Sequence, residues 1–482
     1  MRILFVTSEA FPLIKTGGLA DVSGSLPAAL RNLGEDVRVL IPGYRQVFDN
    51  LRNARVLLEL EWLPVVGKAT LMIGEMPDTG VPVIVIACPH LYERDGGPYL
   101  DTRGYEWLDN PLRFGILSYV AALLGSKQSV LADWIPDVVH FNDWQGGLTP
   151  AFMRYAGKPS AKSVLGIHNL AFQGNCAEDW VARLGLPLEA YHIDGLEYYG
   201  KLSFLKAGVY YADSITTVSP TYAREIQTPE FGFGMQGLLS TRSKDIHGIL
   251  NGIDTHEWNP AADHHLPHAY DGAHLENKQL NKLALQESLG LAVDVSAPLL
   301  GVVSRLTHQK GLDLFAECAP TLLEQGCQIS LLGGGEPSLE HAFGQLALQH
   351  PNQVSVNIGY NEALSHRIMA GADMFIMPSR FEPCGLNQMY GLRYGTPPVV
   401  RRTGGLADSV CDTTPATLAD GSATGFVFDT ADAATLLETI QRALSSYHNP
   451  AQWKQIQSNG MARDLGWDAS ARAYRDIYRS LL

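Results

Sequence analysis

Two short segments set cations beside features that bind anions, in a chain whose formal charge is -14. The first is KTGGLADV at 15 to 22, which follows an apolar opening run and precedes a helical pattern through Leu26, Ala29, Leu30 and Leu33. Gly17 and Gly18 let backbone N–H groups approach phosphate oxygens, the dipole of the following helix adds a favourable field, and Lys15 supplies a full charge. Asp21 is placed to accept a ribose or acceptor hydroxyl. The segment is neither a Walker A loop nor Gly-x-Gly-x-x-Gly. A bare Gly-Gly turn with a solvated lysine would be the simpler reading; the conjunction of Lys, two glycines and Asp after the first strand favours binding. The second segment, VSRLTHQKG at 303 to 311, follows the apolar run PLLGVV. Arg305 and Lys310 thereby leave a strand's C-terminal edge, where they can neutralise charge growing on a departing diphosphate.

A third segment, SRFEPCGLNQMYGLRYG at 379 to 395, sets Glu382 in a Pro-broken loop ahead of a helical run from Gly385 through Leu386, Met389 and Leu392. A carboxylate there can bind sugar hydroxyls while free amides bind phosphate; read alone, the segment favours the simpler reading of a helix-dipole complement worth under about 1 kcal/mol. Asn142 and Asp143 end the run DVVHF, and His168 and Asn169 end SVLGI, so Asp143 and His168 can both face a hexose from neighbouring strand ends. The chain has no Asp-x-Asp pair with which to hold a divalent cation, so no metal is expected in the chemistry. Lys15, Arg305 and Lys310 then form the set that must stabilise a diphosphate leaving group.

These residues need strands and loops to aim them. Short apolar runs alternate with amphipathic stretches, the pattern of βα units around a parallel sheet buried on both faces. The first half offers RILFVT, DVRVLI, VPVIVIA, DVVHF, SVLGIH and SITTVS; the second restarts with PLLGVVS, QISLLG, VSVNIG, DMFIMP, PPVV and GFVF. Between the sets, residues 251 to 297 are rich in His, Pro, Asn and Asp and broken in pattern, which suits a linker or an irregular start to a second domain. Two doubly wound domains place their ligand crevices at strand C-termini, so a cleft between them is the expected active site. TGGLAD occurs twice, at 16 to 21 and 403 to 408, and the second copy reads as an ordinary helix start. Gly333 to Gly335 would suit a dehydrogenase, but the third fingerprint glycine is absent.

Bulk properties agree with that frame. A chain of 482 residues exceeds one ordinary core, and 46% hydrophobic with 18% charged residues is enough to fill two. The acidic balance and the lack of a basic block argue against a nucleic-acid partner. Six scattered cysteines without a Cys-x-x-Cys pair read as free thiols of a reducing cytoplasm. No run approaches a membrane span or a signal-peptide core, so no membrane association is expected.

With KTGGLADV, HNLAFQG at 168 to 174, ILNGID at 249 to 254, SRLTHQKGLD, FEPCGLNQMYGLRYG and RRTGGLADSV at 401 to 410, the chain resembles the ADP-glucose-dependent glycogen and starch synthases over most of its length. The resemblance implies the GT-B fold, two Rossmann-like α/β domains facing each other across a deep cleft. The expected parts are an N-terminal domain at 1–250, a donor-binding domain at 251–462 and a final helix at 463–482 crossing back. It implies a retaining transfer of glucose from ADP-glucose to the non-reducing end of glycogen or another α-1,4-glucan, without a cofactor, and leaves self-association into a homo-oligomer open. By the same resemblance Arg305 and Lys310 bind the donor diphosphate with help from Lys15 and Gly18, and Glu382 holds the transferred glucose. Asp143, His168 and Asn251 line the hexose side, Asp21 and Tyr360 contact the nucleoside, and Cys384, Gly385 and Leu386 offer amides around phosphate and sugar. Asn387 stands where relatives commonly carry Thr, and Ser23 where they often carry Val.

Two other readings share the charged set. One is a retaining GT-B glucosyltransferase using UDP-glucose, or one of the sucrose type. The other is a glucan-binding protein that kept the fold and lost the chemistry, against which intact Lys15, Arg305, Lys310 and Glu382 count.

Overall fold

The opening apolar run is a strand, β1 (Arg2–Val6), with Ile3, Leu4, Phe5 and Val6 all buried, as a strand covered on both faces requires. In the computed structural model, which describes residues 1–127, 129–131, 133–158 and 160–482, β1 lies inside a nine-stranded sheet. The chain divides into two units, Met1–Gly252 with Trp467–Leu482, and Ile253–Gly466.

In the first unit the further strands are β2 (Asp36–Pro42), β3 (Arg52–Leu63), β4 (Gly67–Glu75), β5 (Pro82–Ala87), β6 (Val138–Asn142) and β7 (Lys162–Ile167). The short β8 (Asn175–Cys176), β9 (Glu197–Tyr198) and β10 (Lys201–Ser203) form a separate small sheet, and β11 (Ser214–Thr217) and β12 (Ile246–Gly248) complete the large one. The order is β12-β11-β7-β6-β1-β2-β5-β4-β3, parallel except where β4 pairs antiparallel with β3 and β5. The β3–β4 hairpin is absent from the alternation read in the sequence because β3 is largely exposed and carries no continuous apolar run. The chain leaves β1 toward β2 on one side and returns to β6 on the other, so the sheet reverses its winding between β1 and β6, and the loops after these two strands flank the crevice. The last helix, Trp467–Leu481, packs on helix Gly18–Asn32, burying Ala471, Tyr474 and Tyr478; Tyr478 Oη lies 2.6 Å from His140 Nδ1.

The second unit holds six parallel strands, β13 (Leu299–Val303), β14 (Gln328–Leu332), β15 (Val354–Asn357), β16 (Met374–Met377), β17 (Pro398–Arg401) and β18 (Phe426–Phe428), in the order β15-β14-β13-β16-β17-β18. Its switch point falls between β13 and β16. The stretch expected to be a linker contains a helix, Glu276–Ser288. Its buried face is polar, with Lys278, Asn281, Lys282 and Gln286, which erased the apolar period. Lys278 donates to the carbonyls of Ala370 (2.7 Å) and Met369 (3.2 Å) and to Thr396 Oγ1 (2.6 Å), and Lys282 pairs with Asp373 at 2.6 Å. Burial lowers the Lys278 ammonium to about 7.

Candidate active site

In the first unit the site starts from the loop after β1. Glu9 is buried, and its Oε2 accepts the amides of Thr16 (2.5 Å) and Gly17 (3.0 Å) while Oε1 accepts the Tyr99 hydroxyl at 2.8 Å. Burial pushes this carboxyl up, against the lowering effect of those donors. The Gly17 amide is thus engaged internally, and the Gly18 amide stands at the exposed open end of helix Gly18–Asn32. A Cβ added at Gly17 or Gly18 would meet nothing within 4 Å, so no internal packing demands glycine at either position. What glycine provides there is bare backbone facing open space. Lys15 Nζ and Asp21 Oδ1 pair at 2.8 Å beside it.

The loops after β6 and β7 meet, because these strands are parallel neighbours. Asp143 has the unusual backbone of φ 50° and ψ -163°, and its Oδ1 accepts the amides of His168 (2.7 Å) and Asn169 (3.3 Å). Burial raises the Asp143 carboxyl to about 7, the two amides only partly opposing it. His168 is held neutral by burial, its pKa lowered to about 4, and its Nε2 lies 2.8 Å from Asn142 Oδ1, whose own amide donates to the Val6 carbonyl. Asn251 is buried, and its Oδ1 has no hydrogen-bond partner among the described residues.

In the second unit the loops after β13 and β16 bring Lys310 Nζ to 2.6 Å from Glu382 Oε2, which also accepts the Ser379 hydroxyl at 2.9 Å. Both bonds fall on one oxygen, leaving Oε1 for another donor. Arg305 is exposed and makes no ion pair among the described residues. Arg380 clamps the two loops together, giving two bonds of 2.7 Å to Asp313 and one of 2.7 Å to the His308 carbonyl. Gly385 has φ 71°, and the helix after it begins at Asn387, two residues later than the sequence pattern indicates. Gln388 ties the carbonyls of Cys384 (3.1 Å) and Gly385 (2.9 Å) to Ser409 (3.0 Å), so Cys384, Gly385 and Leu386 sit in a fixed turn. Tyr360 is 77% exposed, a ring left open for stacking, and its hydroxyl donates to Glu362.

The second TGGLAD copy is more than a helix start. A Cβ at Gly404 would lie 1.9 Å from the Glu382 carbonyl oxygen, and one at Gly405 would lie 2.1 Å from that of Cys384. The Gly405 amide donates to the carbonyls of Pro383 (3.0 Å) and Glu382 (3.2 Å), so this copy is the floor of the Glu382 loop. Gly333 and Gly335 likewise pack against the backbone of Ser304 and Leu306, beneath Arg305. Glu9, Tyr99, Ser379 and Gln388 escaped the sequence reading. Tyr99 meets Glu9 across 90 residues, and Ser379 and Gln388 are common polar types whose short-range contacts no spacing announces.

Comparisons with known proteins agree along the whole chain. Residues 2–241 match the starch synthase catalytic domain, and residues 290–459 match glycosyl transferases group 1. The chain is 54% identical to a glycogen synthase of Nitrosomonas eutropha, covering 100% of this chain and 96% of that one. It is 53% identical to a glycogen synthase of Nitrosomonas europaea, covering 100% and 98%. Among solved structures it is similar to the catalytic domain of starch synthase IV from Arabidopsis thaliana bound to ADP and acarbose, with a TM-score of 0.89, 33% identity and coverage of 99% and 98%. Sucrose-phosphate synthase from Thermosynechococcus elongatus, at a TM-score of 0.60 and 17% identity over 100% and 98%, shares the fold.

Proposed function

The chain belongs to the glycogen and starch synthase family of GT-B glycosyltransferases, and we propose that it transfers glucose from ADP-glucose to the 4-hydroxyl at the non-reducing end of an α-1,4-glucan, with retention of configuration and release of ADP. The observation that carries this reading is the Lys310–Glu382 pair at 2.6 Å, with Arg305, which makes no ion pair among the described residues, on the same loop as Lys310. Arg305 and Lys310 take the donor diphosphate, assisted by Lys15 and the Gly18 amide, and stabilise the charge that grows as the anomeric C–O bond breaks. Glu382, released from Lys310 as that cation turns to phosphate, accepts hydroxyls of the transferred glucose. Amides of Cys384, Gly385 and Leu386 complete the phosphate contacts, and Tyr360 and Asp21 meet the nucleoside. The ADP bound to the starch synthase IV structure supports adenine as the base.

On the hexose side we assign Asp143, His168 and Asn251. The acceptor oxygen attacks the anomeric carbon from the face that ADP leaves, its proton passes to the departing phosphate oxygen, and the His168 carbonyl stabilises the oxocarbenium-like carbon. A neutral His168 ring adds no positive charge beside that carbon. No helix among the described residues is long and apolar enough to cross a membrane, and the six cysteines are unbridged, in keeping with a reaction in the cytoplasm. The decisive experiment offers glycogen primer with labelled ADP-glucose or UDP-glucose, with EDTA present. Incorporation of α-1,4-linked label mainly from ADP-glucose is expected; preference for UDP-glucose, strict dependence on added Mg²⁺ or a trapped glucosyl-Glu382 ester would overturn the corresponding part.

A further inference from the structure

The His-rich stretch that opens the second unit takes no part in the chemistry above, yet it is built around one fully buried imidazole. His366, on helix Glu362–Gly371, has its Nδ1 2.7 Å from Asp263 Oδ2, and a carboxylate only accepts, so Nδ1 carries the proton. Its Nε2 is buried and has no hydrogen-bond partner among the described residues, with Glu362 Oε1 at ion-pair distance, 3.5 Å. The ring plane is fixed by stacking on Trp258, at 3.9 Å between centroids and 12° between planes, with Tyr390 stacked on the same indole at 3.7 Å. Asp263 is fixed in turn by the Tyr394 hydroxyl (2.6 Å) and the His265 amide (2.8 Å).

A carboxylate that orients a histidine through one nitrogen and leaves the other without a hydrogen bond is the supporting arrangement that metal-ligating imidazoles have. The ligands are present. Donor atoms of Glu257, His265 and His366 all lie within 4.8 Å of one another. Zinc held through bonds of about 2.0–2.1 Å needs its tetrahedral ligands roughly 3.4 Å apart, and the exposed Glu257 and half-buried His265 have the freedom to close to that spacing. Arg367 Nε donates to the His265 carbonyl at 3.1 Å, which pins that residue against the helix bearing His366. A cavity of about 400 Å³ bordered by His264, His265 and Arg367 opens beside His265. An alternative trio of Asp263, His264 and His265 is weaker, because Asp263 already serves His366 and Tyr394.

We propose that Glu257, His265 and His366 form a binding site for one divalent transition-metal ion of the zinc class, which fastens the irregular segment at 257 to 265 onto helix Glu362–Gly371. Two imidazoles and a carboxylate suit Zn²⁺ over Mg²⁺ or Ca²⁺, which prefer oxygen ligands. The test uses the full-length chain without a polyhistidine tag, stripped with EDTA, dialysed and titrated with ZnCl₂ against a chromogenic chelator. Saturation at one ion per chain and a rise in melting temperature on binding are expected. His265→Gln and Glu257→Gln, both at solvent-reached positions that the fold tolerates, should each weaken binding by about 100-fold and abolish the thermal rise, whereas His341→Gln, an exposed control, should leave both intact. Co²⁺ in place of Zn²⁺ should give the visible absorption of a four- or five-coordinate nitrogen and oxygen site. Absence of saturable binding, or equal affinity in wild type and His265→Gln, would overturn the site and leave His366 as an ion-paired core histidine.

Discussion

The hexapeptide Thr-Gly-Gly-Leu-Ala-Asp appears once in each unit, and its two copies use the same glycines for opposite ends. In the first copy an added Cβ at Gly17 or Gly18 meets nothing within 4 Å among the described residues, so packing leaves the backbone uncrowded there, with the Gly17 amide held by Glu9 and the Gly18 amide at the open helix end. In the second copy Gly404 and Gly405 are jammed against the carbonyls of Glu382 and Cys384, so the glycines make room for a neighbouring loop. The charges around the copies differ in the same sense. Near the first, Glu9 and Asp143 are buried carboxyls pushed up by desolvation, a setting suited to uncharged hydroxyls. Near the second, Lys310 and Glu382 neutralise each other, and on the proposed function they exchange partners when an anionic donor arrives. The backbones differ as well, Gly17 being extended at φ -149° and Gly404 left-handed at φ 43°, so one motif takes two shapes and its surroundings decide which.

The sharpest break in this comparison is at the charged pair. Lys310→Ala or Arg305→Ala should lower turnover by about 100-fold or more, as loss of a preorganised transition-state contact does. Steady-state incorporation of glucose into primer measures this, and rates near wild type would remove the second copy's loop from the chemistry. A smaller loss is expected from Gly405→Ala. The new methyl meets backbone on the Cys384 side, which cannot swing away, so the Glu382 loop must shift. Overpacking of this kind costs about 1–3 kcal/mol, visible as a lower melting temperature, and a displacement of some tenths of an ångström at Glu382 should reduce turnover roughly tenfold.

The difference between the copies explains how far the sequence could be read. Alternating apolar runs placed the parallel strands on both sides of each switch point, and with them Arg305, Lys310, Glu382, Asp143 and His168, because residues at strand ends inherit their position from the strands. Helix Glu276–Ser288 was opaque, since its buried face carries Lys278 and Lys282, whose partners at 369, 370, 373 and 396 lie far along the chain. Glu9 was opaque for the same reason, its hydroxyl donor standing 90 residues away at Tyr99. The second TGGLAD copy looked bland because the loop it supports enters only through tertiary packing.

Asp143 tests the burial side of the comparison through pH. Its carboxyl is raised to about 7 in the fold, against an ordinary value near 4, with burial the largest cause. Between those values the folded chain keeps a proton that the unfolded chain has released, so stability falls as pH rises from about 4 to about 7. Asp143→Asn retains an acceptor for the His168 and Asn169 amides and has no such titration. Its melting temperature should fall less than that of wild type between pH 5 and pH 8 in calorimetry, even as turnover drops. Parallel pH profiles would show that Asp143 titrates like an exposed carboxylate.

The smallest expected effect, and the most discriminating, belongs to Gly18→Ala. At the first position of helix Gly18–Asn32 alanine is a better helix former than glycine by under about 1 kcal/mol, and its methyl meets no neighbour within 4 Å. Unfolding should therefore be unchanged or slightly harder, the opposite of Gly405→Ala. If the bare backbone exists to let an anion close on the helix end, the methyl intrudes on that approach, and the KM for the nucleotide sugar should rise several-fold while kcat changes less. Thermal melting and donor saturation curves on the two alanine variants then form a crossed pair. Loss of stability belongs to the second copy and loss of donor affinity to the first. A Gly18→Ala enzyme with wild-type KM would mean that the first copy, like the second, is glycine-rich for reasons of the fold alone.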